Sequence, residues 1–193
     1  MTARPYPAAR CIVTGERGAG KTALCRAVVA AARDCGPAFD LAGVLSPAVF
    51  AGESKVAIDV EDLRTGERRR LARRRSPGEG CREGEAATRE WCFDGGALRW
   101  GGEVLAAATP CRLLVFDEAG PLEFERGEGW VAGLEAVDGG RFAAALVVVR
   151  PHLVAVARRR WPGAEVVEVA DPAAAAAAAA VLVPRLVGEP GLR

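Results

Sequence analysis

Lysine is nearly absent from this chain of 193 residues, which has two lysines beside 24 arginines. The formal net charge is only +1 and 50% of the residues are apolar, so the composition excludes both a disordered chain and a strongly basic nucleic-acid binder. Because arginine is so abundant, a run of arginines is weak evidence for a binding site. A lysine at a motif position is correspondingly strong evidence.

Long apolar runs are also missing. No stretch reaches the roughly 18 uncharged apolar residues that a membrane span needs, and the alanine-rich run from Ala173 stops at Pro184. The N-terminal sequence MTARPYPAARCIVTG lacks the apolar region and the cleavage site of a signal peptide. We therefore expect a cytoplasmic protein with no membrane contact.

The six cysteines and the single histidine do not form a metal-site pattern. There is no C-x-x-C pair, and no histidine lies near the cysteines to complete a zinc site. In a reducing compartment we expect the cysteines to be free thiols, most of them small buried residues. Cys81 and Cys92, which lie in a polar region, are the predicted exposed thiols.

The chain length predicts one α/β domain over residues 1–193. Short apolar strands alternate with helical segments, which predicts a parallel sheet with helices on both faces. Residues 41–50 read as one strand, and residues 54–74 alternate around an R-T-G-E turn, which predicts an antiparallel hairpin. Residues 75–94 are polar and glycine-rich, so we expect a surface loop that ends in a short strand.

The loop after the first predicted strand reads GERGAGKT and matches the P-loop pattern G-x-x-x-x-G-K-[ST] between a strand and a helix. Its glycines allow the backbone N–H groups to approach phosphate oxygens, and the lysine adds a cation for the β- and γ-phosphates. The threonine hydroxyl can ligate Mg²⁺, the predicted cofactor that accompanies the nucleotide. The residues predicted to bind the nucleotide are Gly15, Glu16, Arg17, Gly18, Ala19, Gly20, Lys21 and Thr22.

Two adjacent carboxylates, Asp117 and Glu118, end the apolar run RLLVF. Burying such a pair is costly unless a cation lies nearby, and a Mg²⁺-nucleotide at the P-loop supplies one. We predict that Asp117 holds the metal and that Glu118 orients the attacking water. The pair therefore matches the second, Walker B, motif of P-loop proteins.

An acid directly after the Walker B aspartate generally accompanies an extra strand between the two motif strands, and AAALVVVR is the candidate for it. Arg150 at its end would then project toward the γ-phosphate and stabilise charge in the transition state. The alternative is a surface arginine before the next helix. His152, two residues further on, is expected to lie in the first turn of the next helix or to face solvent.

With these motifs in order, the chain resembles the family of small P-loop nucleoside-triphosphatases of the thermophilic NTPase and human cancer-related type. DEAGPLEF is similar to that family's D-E-x-G-P-[ML]-E-[LF] signature, and VAIDVEDLRTGERRRLAR to its hairpin. The resemblance implies a RecA-like three-layer sandwich with a mostly parallel sheet, and slow Mg²⁺-dependent hydrolysis of several nucleoside triphosphates. It also implies that Glu118 is the catalytic glutamate and that Glu123 braces the site.

Two other functions stay open from the residues alone. A nucleotide or small-molecule kinase would use the arginine-rich residues 68–90 as a lid over a second substrate, although a water-activating Glu118 argues for hydrolysis. A nucleotide-dependent nucleic-acid-binding module would use the arginine runs 68–70, 73–75 and 158–160, although interleaved acids favour a self-compensating surface. The sequence leaves the base preference and the oligomeric state open.

Overall fold

Ten strands hydrogen-bond into one sheet in the part of the chain that the computed structural model describes, residues 8–75, 78, 80–88 and 90–188. In chain order the strands are β1 Ala9–Thr14, β2 Leu41–Leu45, β3 Ala48–Ala51, β4 Ser54–Asp62, β5 Arg68–Arg74, β6 Glu85–Ala87, β7 Trp91–Asp94, β8 Cys111–Ala119, β9 Phe142–Val149 and β10 Glu165–Glu168. The helices are α1 Lys21–Asp34, α2 Gly95–Ala106, α3 Val131–Gly139, α4 Val154–Arg160 and α5 Pro172–Leu186.

The strand order is β10-β1-β9-β8-β2-β4-β5-β7-β6, and β3 pairs with β4 beside this path. Strands β10, β1, β9, β8 and β2 run parallel. Cys11, Leu146, Val115 and Gly43 lie side by side in the register of four of them. The carboxyl ends of these strands therefore meet at one edge of the sheet, which is where ligands bind in open α/β folds.

Strand β9 lies between β1 and β8. Strand β9 contains all but the final arginine of the segment AAALVVVR, which we predicted to lie between the two motif strands. That prediction is confirmed. As a result, β1 and β8 are not neighbours, and their ends are separated by the width of one strand.

Apolar side chains cover both faces of the parallel strands, as their continuous hydrophobic sequences indicate. In β8, Leu114 and Phe116 pack on one face with α2 and α3, whereas Leu113 and Val115 pack on the other with α1 and α5. The helices are thus distributed over the two faces of the sheet. The predicted three-layer α/β sandwich is confirmed.

The predicted hairpin at residues 54–74 is confirmed as the antiparallel pair β4 and β5. The single strand predicted at residues 41–50 is wrong, because the chain breaks at Ser46 and Pro47 into β2, which pairs with β8, and β3, which pairs with β4. Proline has no N–H to donate to a ladder, so a strand ends readily there.

The loop predicted at residues 75–94 contains more structure than expected, since β6 and β7 pair with each other and β7 joins β5. Residues 76, 77, 79 and 89 of that prediction lie outside the described residues. The short strand expected near residue 91 is confirmed as β7.

The two cysteines predicted to be exposed thiols are bonded to each other. Cys81 and Cys92 form a disulfide with a Cα–Cα distance of 5.5 Å, and Cys92 is completely buried. The pairing of β6 with β7 turns the chain back on itself, and that turn brings the two residues together. Cys11 and Cys25 are buried free thiols as expected, and burial raises the pKa of Cys11 to about 12.

Helix α5 begins as its sequence predicts. The Asp171 carboxylate accepts a hydrogen bond from the Ala174 N–H at 2.8 Å, and Pro172 occupies the first helical turn. Across the described part of the chain, no helix combines the length and the apolar character that crossing a membrane requires.

Candidate active site

The P-loop connects the end of β1 to the start of α1, and its glycines are required by the backbone geometry. Gly15 has φ 148°, and a Cβ there would collide with the Val169 carbonyl. Gly20 is left-handed with φ 97°, and a Cβ there would lie 2.9 Å from the Ala175 Cβ. Only glycine fits both positions, so the motif glycines shape the loop as predicted.

Lys21 folds back over the loop that precedes it. Its Nζ donates hydrogen bonds to the Gly15 and Glu16 carbonyl oxygens, both at 2.7 Å. Partial burial lowers the pKa of Lys21, and the charges of Glu118, Asp117 and Glu16 oppose that shift. In P-loop proteins the lysine of the motif binds phosphate oxygens, whereas here both contacts are to the backbone of the loop itself.

The middle residues of the loop differ in exposure. Ala19 is buried, and its N–H donates to the Glu16 carbonyl at 3.2 Å, which closes the turn. Glu16, Arg17 and Gly18 are exposed. The Arg17 guanidinium forms an ion pair with Glu90 at 2.7 Å, a contact that the sequence did not indicate.

Asp117 lies at the end of β8 with none of its surface exposed. Its Oδ2 accepts a hydrogen bond from the Ser46 N–H at 3.0 Å, and its Oδ1 accepts one from the Thr22 Oγ1 at 3.5 Å. Burial, followed by the neighbouring charge of Glu118, raises the pKa of Asp117 to about 7. The P-loop and the acid pair, far apart in sequence, are therefore in direct contact.

The oxygen atoms at the contact between Thr22 and Asp117 are suitable ligands for a hard divalent cation. A carboxylate and a hydroxyl oxygen lie beside the phosphate-binding loop, and Mg²⁺ prefers such oxygen ligands together with substrate phosphates. A buried carboxylate with a raised pKa also gains from a nearby positive charge. Thr22 and Asp117, the two predicted metal ligands, fit Mg²⁺ by both criteria.

Glu118 is exposed and has φ 80°, a left-handed conformation that glutamate rarely adopts. The pairing of β8 with β9 shifts register between Phe116 and Ala119, so a bulge turns the backbone at this point. Successive residues of a strand face opposite sides, and here Asp117 is buried while Glu118 is exposed. Strained backbone of this kind is typical of functional sites.

Ser46 is the site residue that sequence reasoning missed. It is buried, it donates its N–H to the Asp117 carboxylate, and its Oγ donates to the Asp117 carbonyl at 3.4 Å. The available signal was its place directly after β2, a parallel neighbour of β8. A residue at the carboxyl end of such a strand belongs to the same edge of the sheet.

Arg150 directly follows β9 and is exposed. A Cβ built on Gly120 would lie 4.0 Å from the Arg150 Nε, and the Arg150 charge acts to lower the pKa of Lys21. Its guanidinium therefore lies near the turn that follows the acid pair, and its action on the γ-phosphate stays a prediction. His152 faces solvent, which confirms the expectation for it.

Glu123 braces the end of the acid-bearing strand. It is 9% exposed, and its two carboxylate oxygens accept hydrogen bonds from the Gly120 and Trp130 N–H groups, both at 2.9 Å. These bonds hold the turn that follows Glu118 against the start of α3. The described contacts of Glu123 are to this turn, with no hydrogen bond to the P-loop among them.

Several arginines of the three arginine runs form ion pairs with acids. Arg68 and Arg33 both pair with the buried Glu61, at 2.6 and 2.9 Å. Arg70 pairs with Asp59, and Arg160 pairs with Asp138, both at 2.6 Å. Residues 68–74 form strand β5 inside the sheet, so they do not serve as a movable lid.

Two solved structures share this fold. A human cancer-related nucleoside triphosphatase superposes with a TM-score of 0.63 and 23% identity, over 93% of this chain and 96% of the other. THEP1 from the hyperthermophile Aquifex aeolicus superposes with a TM-score of 0.62 and 17% identity, over 92% of this chain and 98% of the other. No curated protein matches the chain by sequence.

One protein family also matches at the level of sequence. The model of the NTPase family covers residues 10–168, which include the P-loop, the hairpin, the acid pair and Arg150. The match spans most of the chain and agrees with the resemblance seen in the motifs. The chain therefore belongs to this NTPase family.

Proposed function

We propose that this protein is a Mg²⁺-dependent phosphohydrolase that converts ATP, GTP and other nucleoside triphosphates to the diphosphate and phosphate. The observation that best supports this proposal is the 3.5 Å contact between the Thr22 Oγ1 of the P-loop and the Asp117 Oδ1. It brings an anion-binding loop and an acid pair to the same edge of the sheet. Membership of the NTPase family supports the same class of reaction.

Binding begins at the P-loop. Its backbone N–H groups and the start of α1 attract the phosphates of the nucleotide. Lys21 exchanges the carbonyl oxygens of Gly15 and Glu16, which it now contacts at 2.7 Å, for phosphate oxygens. Because the side chain is already directed over the loop, the exchange needs only a small movement.

The Thr22 hydroxyl and the Asp117 carboxylate, which are in contact with each other, would hold Mg²⁺. Mg²⁺, when bound, supplies positive charge to the β- and γ-phosphate oxygens. Ser46 keeps the Asp117 carboxylate in place through the bond from its N–H. Burial removes the Asp117 carboxylate from the water that would stabilise its charge, and a bound cation would compensate for that loss.

Glu118 acts on the water. Its outward position beside Asp117 lets it accept a hydrogen bond from a water molecule and direct the water oxygen at the γ-phosphorus. As the new oxygen–phosphorus bond forms, the bond to the bridging oxygen breaks and the diphosphate leaves with that electron pair. The proton of the water passes to Glu118, and Arg150 stabilises the charge that develops on the phosphate oxygens.

The experiment that tests this proposal is a phosphate-release assay on a panel of nucleoside triphosphates, with and without Mg²⁺ and with no acceptor present. We expect release from several of them, loss of release in EDTA, and loss in the Glu118→Gln variant purified identically as a control for contaminating phosphatases. No release from any triphosphate would overturn the proposal. Release only after an acceptor is added would favour the kinase alternative.

A further inference from the structure

The second of the two lysines lies on the hairpin, close to the site built by the first. Lys55 is near the start of β4, and its side chain is half-buried. Its Nζ lies 5.1 Å from the centroid of the Trp91 ring, within the range of a cation–π interaction. Trp91 is only 7% exposed and belongs to β7, so it provides a fixed platform for the ammonium group.

This platform is tied to the P-loop. Glu90, the residue before Trp91, forms the 2.7 Å ion pair with Arg17 in the middle of the P-loop. This ion pair therefore links the P-loop to the residue that directly precedes Trp91. Strand β4 pairs antiparallel with the end of β2, with Leu45 opposite Glu61, so the first residues of β4, including Lys55, extend past the carboxyl edge of the sheet that carries the site.

The charges around Lys55 are those of the active site. Burial lowers the pKa of Lys55, and the positive charge of Arg17 acts in the same direction, whereas the negative charges of Glu118 and Asp117 oppose the shift. Glu118 and Asp117 act in the same way on Lys21. The charges of the acid pair therefore act on both lysines of the chain.

We propose that Lys55 is a second phosphate-binding cation, which the hairpin contributes to the γ-phosphate of the bound nucleoside triphosphate. The proposal rests on the proposed function. Lys55 belongs to neither the P-loop motif nor the acid-pair motif. Lys55 lies on the part of β4 that extends past the carboxyl end of β2. The ion pair of Glu90 with Arg17 connects its Trp91 platform to the P-loop. From this place the ammonium group can reach the terminal phosphate of a nucleotide bound at the P-loop.

The test compares triphosphate with diphosphate binding. Dissociation constants are measured by calorimetry for the non-hydrolysable β,γ-imido analogues of ATP and GTP, and for ADP and GDP, all with Mg²⁺. Lys55→Met keeps the length of the side chain and removes the charge. We expect it to weaken triphosphate-analogue binding by about tenfold or more, the loss of one charge-assisted hydrogen bond, and to change diphosphate binding by less than about threefold.

Two further variants separate this role from a structural one. Lys55→Arg keeps the charge and should restore most of the triphosphate affinity. Arg70→Met removes a positive charge from the same hairpin at an exposed residue that pairs with Asp59, and it should change neither affinity by more than about twofold. Lys55→Gln replaces the methionine variant if that variant does not fold.

The outcomes distinguish the two proposals. Wild-type protein that binds neither triphosphate analogue would overturn the proposed function and this inference with it. Wild-type protein that binds them, with a Lys55→Met variant that binds them equally well, would overturn only the role of Lys55. Equal weakening of triphosphate and diphosphate binding by that variant would also overturn it, since a packing role beside Trp91 makes no distinction between the two.

Discussion

Replacing Asp117 by asparagine should make the nucleotide-free protein more stable while it destroys the metal site. Asp117 is completely buried, and its folded-state pKa is raised from 3.8 to about 7 by burial and by the charge of Glu118. Above that pH the folded protein holds a buried negative charge that the unfolded chain keeps in water. Asparagine has nearly the same shape and carries no charge.

The magnitude follows from the two pKa values. Their difference corresponds to about 4 kcal/mol of destabilisation at pH 8, as an upper limit. We expect a gain of about 2 kcal/mol in the free energy of unfolding, because the amide retains one oxygen acceptor for the Ser46 N–H but turns an N–H₂ group toward Thr22.

The sign of the pH dependence is fixed by the raised pKa. The folded state binds more protons than the unfolded state between about pH 3.8 and 7, so the cost of the charge disappears as the pH falls through that window. The advantage of the Asp117→Asn variant should be complete at pH 8 and fall below about half by pH 5.

Urea unfolding in EDTA at pH 8 and at pH 5 measures this difference, with Asp34→Asn as a matched control. Asp34 is exposed at the end of α1, so its replacement should change stability by less than about 0.5 kcal/mol at either pH. A variant no more stable than wild type at pH 8, or an advantage that is the same at pH 5, would refute the reasoning. With Mg²⁺ and saturating triphosphate the order should reverse, because only wild type gains the binding energy.

Four other variants test the remaining roles. Lys21→Ala should weaken triphosphate binding by at least about tenfold in a calorimetric titration, because it loses the cation of the P-loop. Glu118→Gln should bind triphosphate normally and lose at least about 10²-fold in turnover; a wild-type rate of phosphate release would contradict its role. Arg150→Ala should lower kcat more than it raises KM if Arg150 acts on transition-state charge, and unchanged kcat would assign it to the surface. Glu123→Ala should lower the free energy of unfolding by about 2–4 kcal/mol in urea, since two buried N–H groups lose their acceptor, with Glu125→Ala as the exposed control.

Much of the fold could be predicted because its signals are local. The hairpin is predicted by apolar and polar residues that alternate on both sides of a turn. The P-loop is predicted by its motif glycines, which its backbone conformation requires. The position of β9 between β1 and β8 was also accessible, because it accompanies an acid that directly follows Asp117. The site roles of Lys21, Thr22, Asp117 and Glu118 stay predictions, as does a single domain over residues 1–193.

What could not be predicted depends on contacts between distant segments. Ser46 acquires its role only because β2 pairs with β8 and brings its N–H to Asp117. Cys81 and Cys92 meet only because β6 folds onto β7. No pattern in the neighbourhood of either cysteine distinguishes a bonded pair from two free thiols.

The sequence by itself determined the parallel α/β architecture, the phosphate-binding loop and the place of the acid pair at a strand end, because each depends on residues within one short segment. Only the tertiary structure decided that Thr22 contacts Asp117, that Glu118 has a left-handed backbone conformation, and that Lys55 lies over Trp91. These features arise where the ends of several strands converge, and their distances depend on sheet order and register. A charge becomes part of a site only when the fold determines which other charges surround it.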